Sequence, residues 1–266
     1  MTSLHHPPRN RDRRLVPLVV LVALGLGFAG SALLFLPALV VDRLSRGASD
    51  VVFSVETDEQ MLALSIDDGP SEATAEILEV LREHGAAATF FVIGEHMDAG
   101  KDLLPEILAD GHELGHHMMT DTPSRGLEPR DFDDRFDRMH DLLEPLQPTR
   151  LFRPGSGWYD DRMIEAAASR GYRTVLGSVY PFDAHLPWTD FLSWFVLRNV
   201  QPGAIVVLHD GPARGGRTAD VLRAILPELS RQGYQVVTVS RLLEVAGFER
   251  HEQEPRGGDC PLASPC

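Results

Sequence analysis

One pattern constrains this chain more than any other. Between positions 61 and 240, seven short apolar runs alternate with stretches of helical periodicity. The runs are MLALSID (61–67), ATFFVIG (88–94), the weaker HELGHH (112–117), RLFRP (150–154), RTVLGSVYP (173–181), AIVVLHD (204–210) and YQVVTVS (234–240). Short runs apolar on both faces read as strands covered on both sides. A regular strand–helix alternation makes them parallel, because each helix returns the chain to the same end of the sheet. Phe132, Phe136, Met139 and Leu143 recur at helical spacing beneath a charged opposite face. Ile77, Leu78 and Leu81 follow Ser71, a capping residue type, and precede His84-Gly85, a stop. Met163 and Ala167, and then Val221, Leu222, Ile225 and Leu229, repeat the theme and close at Gly171 and Gly233. The expected fold is α/β: a distorted (β/α)7-type barrel preceded by one N-terminal transmembrane helix. An open doubly wound sheet is the alternative that alternation leaves standing. No GxGxxG follows a strand and no GKS or GKT occurs, so no nucleotide fingerprint is present.

The N-terminus carries a second signal. From Leu15 to Val41 there is no charged residue. As a helix this stretch would run about 40 Å, enough to cross a hydrocarbon layer of about 30 Å. A core helix would show a polar face, and a cleaved signal peptide would be shorter, with a better site than Ala29-Gly30-Ser31. The expectation is an uncleaved anchor in the lipid bilayer through residues 15–41. Arg9, Arg11, Arg13 and Arg14 precede it and only Arg43 and Arg46 follow, which keeps residues 1–14 in the cytoplasm. The protein is then a single-pass protein of the cytoplasmic membrane. Its linker is 42–57, its extracytoplasmic domain 58–248, and its disordered tail 249–266.

Composition excludes several classes. An apolar content of 43% rules out a disordered chain, and a net charge of −14 argues against nucleic acid. The first 46 residues are net basic, so the remainder carries about −18, which also disfavours a phosphoester substrate. Only two cysteines occur, Cys260 and Cys266, both in the tail, so no disulfide scaffold or cysteine-rich zinc module holds the fold.

Reactive residues gather at the C-terminal ends of the runs, which share one rim in a parallel α/β fold. Asp67 and Asp68 end the first, His116 and His117 the third, and Arg153 the fourth. Asp183 follows the fifth, and His209 and Asp210 end the sixth. His117 and Asp121 stand four apart, so one helical turn would aim both the same way. A histidine with two carboxylates is an N/O donor set with open positions, suited to zinc, manganese, cobalt or nickel in a catalytic role. His209, on another strand, is free to move protons.

Taken in order, Ser65-Ile-Asp-Asp-Gly-Pro70, Gly111-His-Glu-Leu-Gly115 leading into His117, Phe152-Arg-Pro154 and Leu208-His-Asp210 resemble motifs of the NodB-type polysaccharide deacetylases, carbohydrate esterase family 4. The segment from Val175 to Asp183 looks like a divergent subgroup. The resemblance spans about residues 58–246. It implies a divalent-metal-dependent hydrolase, zinc first, with cobalt, manganese and nickel as alternatives, acting on an acetylated amino-sugar glycan. It implies Asp67 as general base, with Asp68, His117 and Asp121 as metal ligands. Arg153 would hold Asp67 through a two-pronged fork, and His209 would be the general acid with Asp183 its partner. Water would lose a proton to Asp67 and attack the acetamide carbonyl, and His209 would protonate the departing amine. Three departures stand out. Asp121 occupies the place of a second histidine. Pro-Gly-Ser replaces Pro-Pro-Tyr after Arg153, with Ser156 the nearest oxyanion donor. Asp183 lacks the usual following tryptophan. Trp158 and Trp188 read as core packing or, alternatively, as faces for a sugar. The competing readings are a non-catalytic glycan-binding module and, third, a metal phosphoesterase.

Overall fold

A computed structural model describes residues 50–146, 150–211 and 215–247. One sheet contains β1 (Val51–Val52), β2 (Met61–Asp67), β3 (Thr89–Val92), β4 (Glu113–His116), β5 (Leu151–Phe152), β6 (Arg173–Val175), β7 (Ile205–His209) and β8 (Gln235–Val237). Its order is β1-β6-β5-β4-β3-β2-β7, with every strand pairing parallel. β8 also pairs with β2, covering Met61–Ala63 on the edge where β3 covers residues 65–67. The sheet curls until its ends approach. Val179, just past β6, bridges Val206 of β7, and Ser54, just past β1, bridges Ala204. The architecture is thus a curled parallel sheet whose ends meet through two isolated bridges.

Helices α1 (Thr74–Glu83), α2 (Gly94–Met97), α3 (Leu103–Ala109), α4 (Pro129–Leu143), α5 (Asp161–Ser169), α6 (Thr189–Asn199), α7 (Gly215–Arg231) and α8 (Val239–Val245) lie between and after the strands. α4 buries Phe132, Phe136, Met139 and Leu143, the residues its periodicity singles out. Three local details differ from the sequence reading. Ser71 does not cap α1, because the helix starts later, at Thr74 with Ala73 in the N-cap position; the Ser71 hydroxyl donates to Asp210 and accepts from the Ala73 N–H. The run 234–240 is split: β8 stops at Val237 because Thr238 caps α8, accepting from the Arg241 N–H at 3.2 Å. Residues 51–55, read as linker, are part of the fold. Val51 and Val52 pair with the open edge of β6, and Phe53 and Val55 are buried with them.

The membrane span expected at 15–41 and the tail 249–266, with Cys260 and Cys266, lie outside the described residues. Among the described residues no helix is long and apolar enough to cross a membrane.

Strand alternation positions the site. Successive side chains point to opposite faces. On β2, Leu62, Leu64 and Ile66 face the helices, in the main core cluster. Met61 and Ala63 face the inside of the curl with Phe91, Leu151, Val175 and Ile205, beneath α8. Ser65 and Asp67 continue that inner face, so the interior is apolar at one end and polar at the other.

Candidate active site

Asp67 ends β2, and its in-register neighbour is His209, which ends β7. Asp68 then turns the chain with a positive φ of 72°, a region that aspartate tolerates better than most residues. Two bonds fix the turn: the Asp68 N–H donates to Phe91 O at 3.1 Å, and His96 Nδ1–H donates to Asp68 O at 2.7 Å.

Arg153, just past β5, reaches into the curl. Its Nη1 donates to Asp67 Oδ1 at 2.5 Å and to Ser65 Oγ at 2.8 Å, and its Nε donates to Val175 O at 3.0 Å. The grip on Asp67 is therefore a single prong, not the expected fork: Nη1 is shared between Asp67 and Ser65, Nε is turned to Val175, and the buried Nη2 has no hydrogen-bond partner among the described residues. The guanidinium lies 4.1 Å over the Phe91 ring. Phe91 fits there only because Gly115 opposes it, where a Cβ would stand 2.5 Å from the ring. Burial pushes the Arg153 pKa down, and the Asp67 charge only partly offsets this.

His117 continues β4 on its inner face. Its Nδ1–H donates to Arg153 O at 2.8 Å, which leaves Nε2 to face Asp68 Oδ1 at 3.4 Å and Asp67 Oδ2 at 3.9 Å. Burial lowers its pKa, but Asp67 and Asp68 outweigh burial and the net shift is upward. His116 points the other way by alternation. Its ring stacks on Phe136 at 4.1 Å, and its Nε2–H donates to Phe136 O at 3.0 Å. His112 is likewise structural, accepting from the Ala88 N–H at 3.2 Å.

These contacts test the implied metal. Asp68 and His117 fit a divalent cation, since an imidazole whose Nδ1–H is held by a carbonyl presents Nε2 in the ligating tautomer. The third donor does not join them. Asp121 sits on the exposed turn 120–122, and among the described residues no group of three or more His, Cys, Asp or Glu is arranged to hold a metal ion. The sequence placed Asp121 beside His117 by helical spacing, but residues 117–121 form no helix.

His209 and Asp183 form a second couple. Asp183 Oδ1 accepts from His209 Nδ1–H at 3.0 Å, and Oδ2 accepts from the His209 N–H at 2.7 Å. The ring is thereby oriented with Nε2 available for proton transfer. Burial lowers the His209 pKa, but the Asp183 hydrogen bond and charge, with Asp67 and Asp68 behind, raise it overall. Tyr180 meets the imidazole edge-on at 5.5 Å, and Thr218 Oγ1 donates to His209 O at 2.6 Å.

Six of the seven sequence-derived residues therefore converge: Asp67, Asp68, His117, Arg153, Asp183 and His209. Ser65, His96, Tyr180 and Arg217, which donates to Asp183 O at 3.2 Å, were not singled out. Ser65 was legible, since it shares the inner face of β2 with Asp67. Ser156 lies exposed in a tight turn (Gly155–Gly157) with φ +61°. Trp158 and Trp188 are not core residues: each is 63% exposed.

The description "Polysaccharide deacetylase" matches residues 54–175 at the level of a family model. A peptidoglycan-N-acetylglucosamine deacetylase of Bacillus cereus is 36% identical over 197 residues, covering 73% of this chain and 92% of the relative. A chitooligosaccharide deacetylase of a Bradyrhizobium species is 32% identical over 195 residues, covering 67% and 89%. A pseudoenzyme of carbohydrate esterase family 4 from Bacillus anthracis superposes with a TM-score of 0.68 at 26% identity, covering 74% of this chain and 70% of that one.

Proposed function

The chain belongs to the NodB-type polysaccharide deacetylases, carbohydrate esterase family 4, and from that premise we propose that it hydrolyses N-acetyl groups of an amino-sugar glycan outside the cytoplasmic membrane. The observation that carries this reading is the pair of oriented couples on one rim, Arg153–Asp67 and Asp183–His209, on neighbouring strands. A binding protein needs no base beside an acid. Relatives named for peptidoglycan and chitooligosaccharides support an N-acetylglucosamine polymer as substrate class. Anchoring through residues 15–41 would put the domain where such polymers are.

In this reading the ground state places the acetamide carbonyl carbon near Asp67. A water attacks that carbon and passes its proton to Asp67 Oδ2, the oxygen that Arg153 leaves open. Arg153 fixes the carboxylate plane and sets the line of attack. His209 Nε2–H then gives its proton to the amide nitrogen as the C–N bond breaks, and Asp183 stabilises the imidazolium form throughout. The products are acetate and a free amino sugar. Asp68 and His117 would hold a divalent cation, zinc first, whose chemistry is to polarise the carbonyl. Trp158 offers an exposed aromatic face on the loop that follows Arg153, suited to stacking on a sugar ring. Trp158→Ala should raise KM for N-acetylglucosamine oligomers several-fold with kcat nearly unchanged.

Mass spectrometry of N-acetylglucosamine oligomers incubated with the full chain tests the substrate class. Loss of acetyl groups from these oligomers but not from O-acetylated xylan is the expected result. Release from the xylan alone would contradict it.

One observation favours a second reading. With Asp121 exposed, the chain resembles a family fold whose metal set is incomplete, and a family pseudoenzyme superposes on it. As a glycan-binding module it would retain oligomer affinity, release no acetate, and gain turnover on Asp121→His.

A further inference from the structure

We propose that Asp210 is a positioning residue for this reaction: its buried carboxylate locks the turn that carries Asp67 and Asp68 against the strand that carries His209. The inference rests on the deacetylase reading for its kinetic consequence, though not for its geometry. Asp210 follows β7 and is fully buried, yet it belongs to neither acid–base couple nor to the Asp68–His117 donor pair. Its N–H donates to Asp67 O at 2.7 Å. Its Oδ1 accepts from Ser71 Oγ–H at 2.5 Å and from the Gly211 N–H at 2.6 Å, and its Oδ2 accepts from the Thr74 hydroxyl. Thr74 Oγ1 accepts in turn from the Ser71 N–H at 2.7 Å, and Ser71 Oγ accepts from the Ala73 N–H at 3.1 Å. The ring of bonds is closed, and it encloses the segment from Asp67 to Thr74.

Chemistry dictates a carboxylate here. Three donors converge on one side chain, two of them hydroxyls whose acceptor sides are already used, so the partner must accept on both oxygens. An asparagine would offer an NH2 group to one of the hydroxyls and break that bond. Backbone approach is equally tight. A Cβ on Gly69 would stand 2.8 Å from Asp210 Oδ2, so the turn can lie on the carboxylate only with glycine at that position. Burying a charge is costly unless it is fully hydrogen-bonded. At this seam the cost is met, and the effect is to fix the distance between Asp67 and His209. A displacement of about 1 Å at such a centre costs up to about a hundredfold in rate.

The test uses the full chain with Asp210→Asn, Thr74→Val and Thr74→Ser, reading kcat and KM on N-acetylglucosamine oligomers and backbone hydrogen exchange by segment. The expected result for Asp210→Asn and Thr74→Val is at least about a tenfold fall in kcat with KM within about twofold. Amides 68–74 should exchange at least about tenfold faster while α4 and α7 keep their protection, and Thr74→Ser should restore both readouts. Unchanged exchange in 68–74, or exchange that rises equally in α4 and α7, overturns the proposal. If the parent chain releases no acetate, the deacetylase reading fails, and the exchange arm still decides whether Asp210 holds the turn.

Discussion

Asp183 makes two bonds to one residue, and that geometry has a measurable consequence. Because Asp183 raises the His209 pKa, His209 keeps its proton further into alkaline pH than a free imidazole would. Asp183→Asn removes the charge, so the alkaline limb of the kcat/KM–pH profile should move to lower pH, with kcat down about 10- to 100-fold. An unmoved limb would separate Asp183 from the acid. His116 gives the opposite sign on stability. Burial lowers its pKa from 6.5 to about 3, so it stays neutral when folded and binds a proton when unfolded. Between those values the unfolded state binds more protons, and stability falls as pH falls, by about 1.4 kcal/mol per unit. His116→Phe should flatten the urea-unfolding stability between pH 6 and pH 4 by about that slope. Parallel slopes for parent and variant would show that His116 is protonated in the folded chain. Of two adjacent histidines, the sequence identified His117 by its spacing to Asp121 and by motif. Strand alternation explains the choice physically, since the inner face of β4 carries His117 and the outer face carries His116.

Elements hold the site from below as well as from its rim. Glu113 opens β4 at the end of the curl away from Asp67, and its Oε1 accepts from Thr89 Oγ1 at 2.6 Å and from the Ser240 N–H at 3.0 Å. Thr89 Oγ1 also accepts from the Val239 N–H at 2.8 Å. These bonds seat the first turn of α8, whose Leu242 and Leu243 plug the apolar interior. Glu113→Ala strands a buried hydroxyl and a helix N–H, and should cost about 2–4 kcal/mol by urea unfolding. A cost below about 0.5 kcal/mol would show that α8 seats itself by apolar contact alone. The strand and helix elements were readable because each has its own period. α4 in particular showed all four buried positions in its 3.6-residue repeat. What the pattern did not show were the pieces fixed by distant partners. Ser71 reads as a helix cap, but it stands before the Ala73 N-cap and ties the turn to Asp210, far along the chain, and Val51–Val52 look like linker until β6 offers an open edge.

Across the whole molecule, parallel alternation brings Asp67, Asp68, His117, Arg153 and His209 to one rim, because each ends or directly follows a strand that points there, while Asp183 reaches the rim from the loop after β6 through its two bonds to His209. Asp121 escaped that logic. It lies on a connecting turn, where no strand register dictates direction, so spacing from His117 carried no positional information. The third donor is therefore the weakest joint of the site. In the deacetylase reading, Asp121→His should tighten zinc binding measured by calorimetry by at least about tenfold, since a neutral imidazole on the turn would add a third donor to Asp68 and His117. An unchanged affinity would mean that the turn holds residue 121 away from Asp68 and His117 whatever its side chain.

In the deacetylase reading, Asp67 acts as the base in a hydrolysis rather than as a binding group. The most direct measurement is the rate of acetate release from N-acetylglucosamine oligomers by the full chain and by Asp67→Asn, with oligomer affinity measured on both. Repeated turnover by the parent, a fall of about a hundredfold or more in the variant, and affinities within about twofold of each other are the expected result. Equal rates in the two proteins, or oligomer binding with no acetate from either, would contradict it.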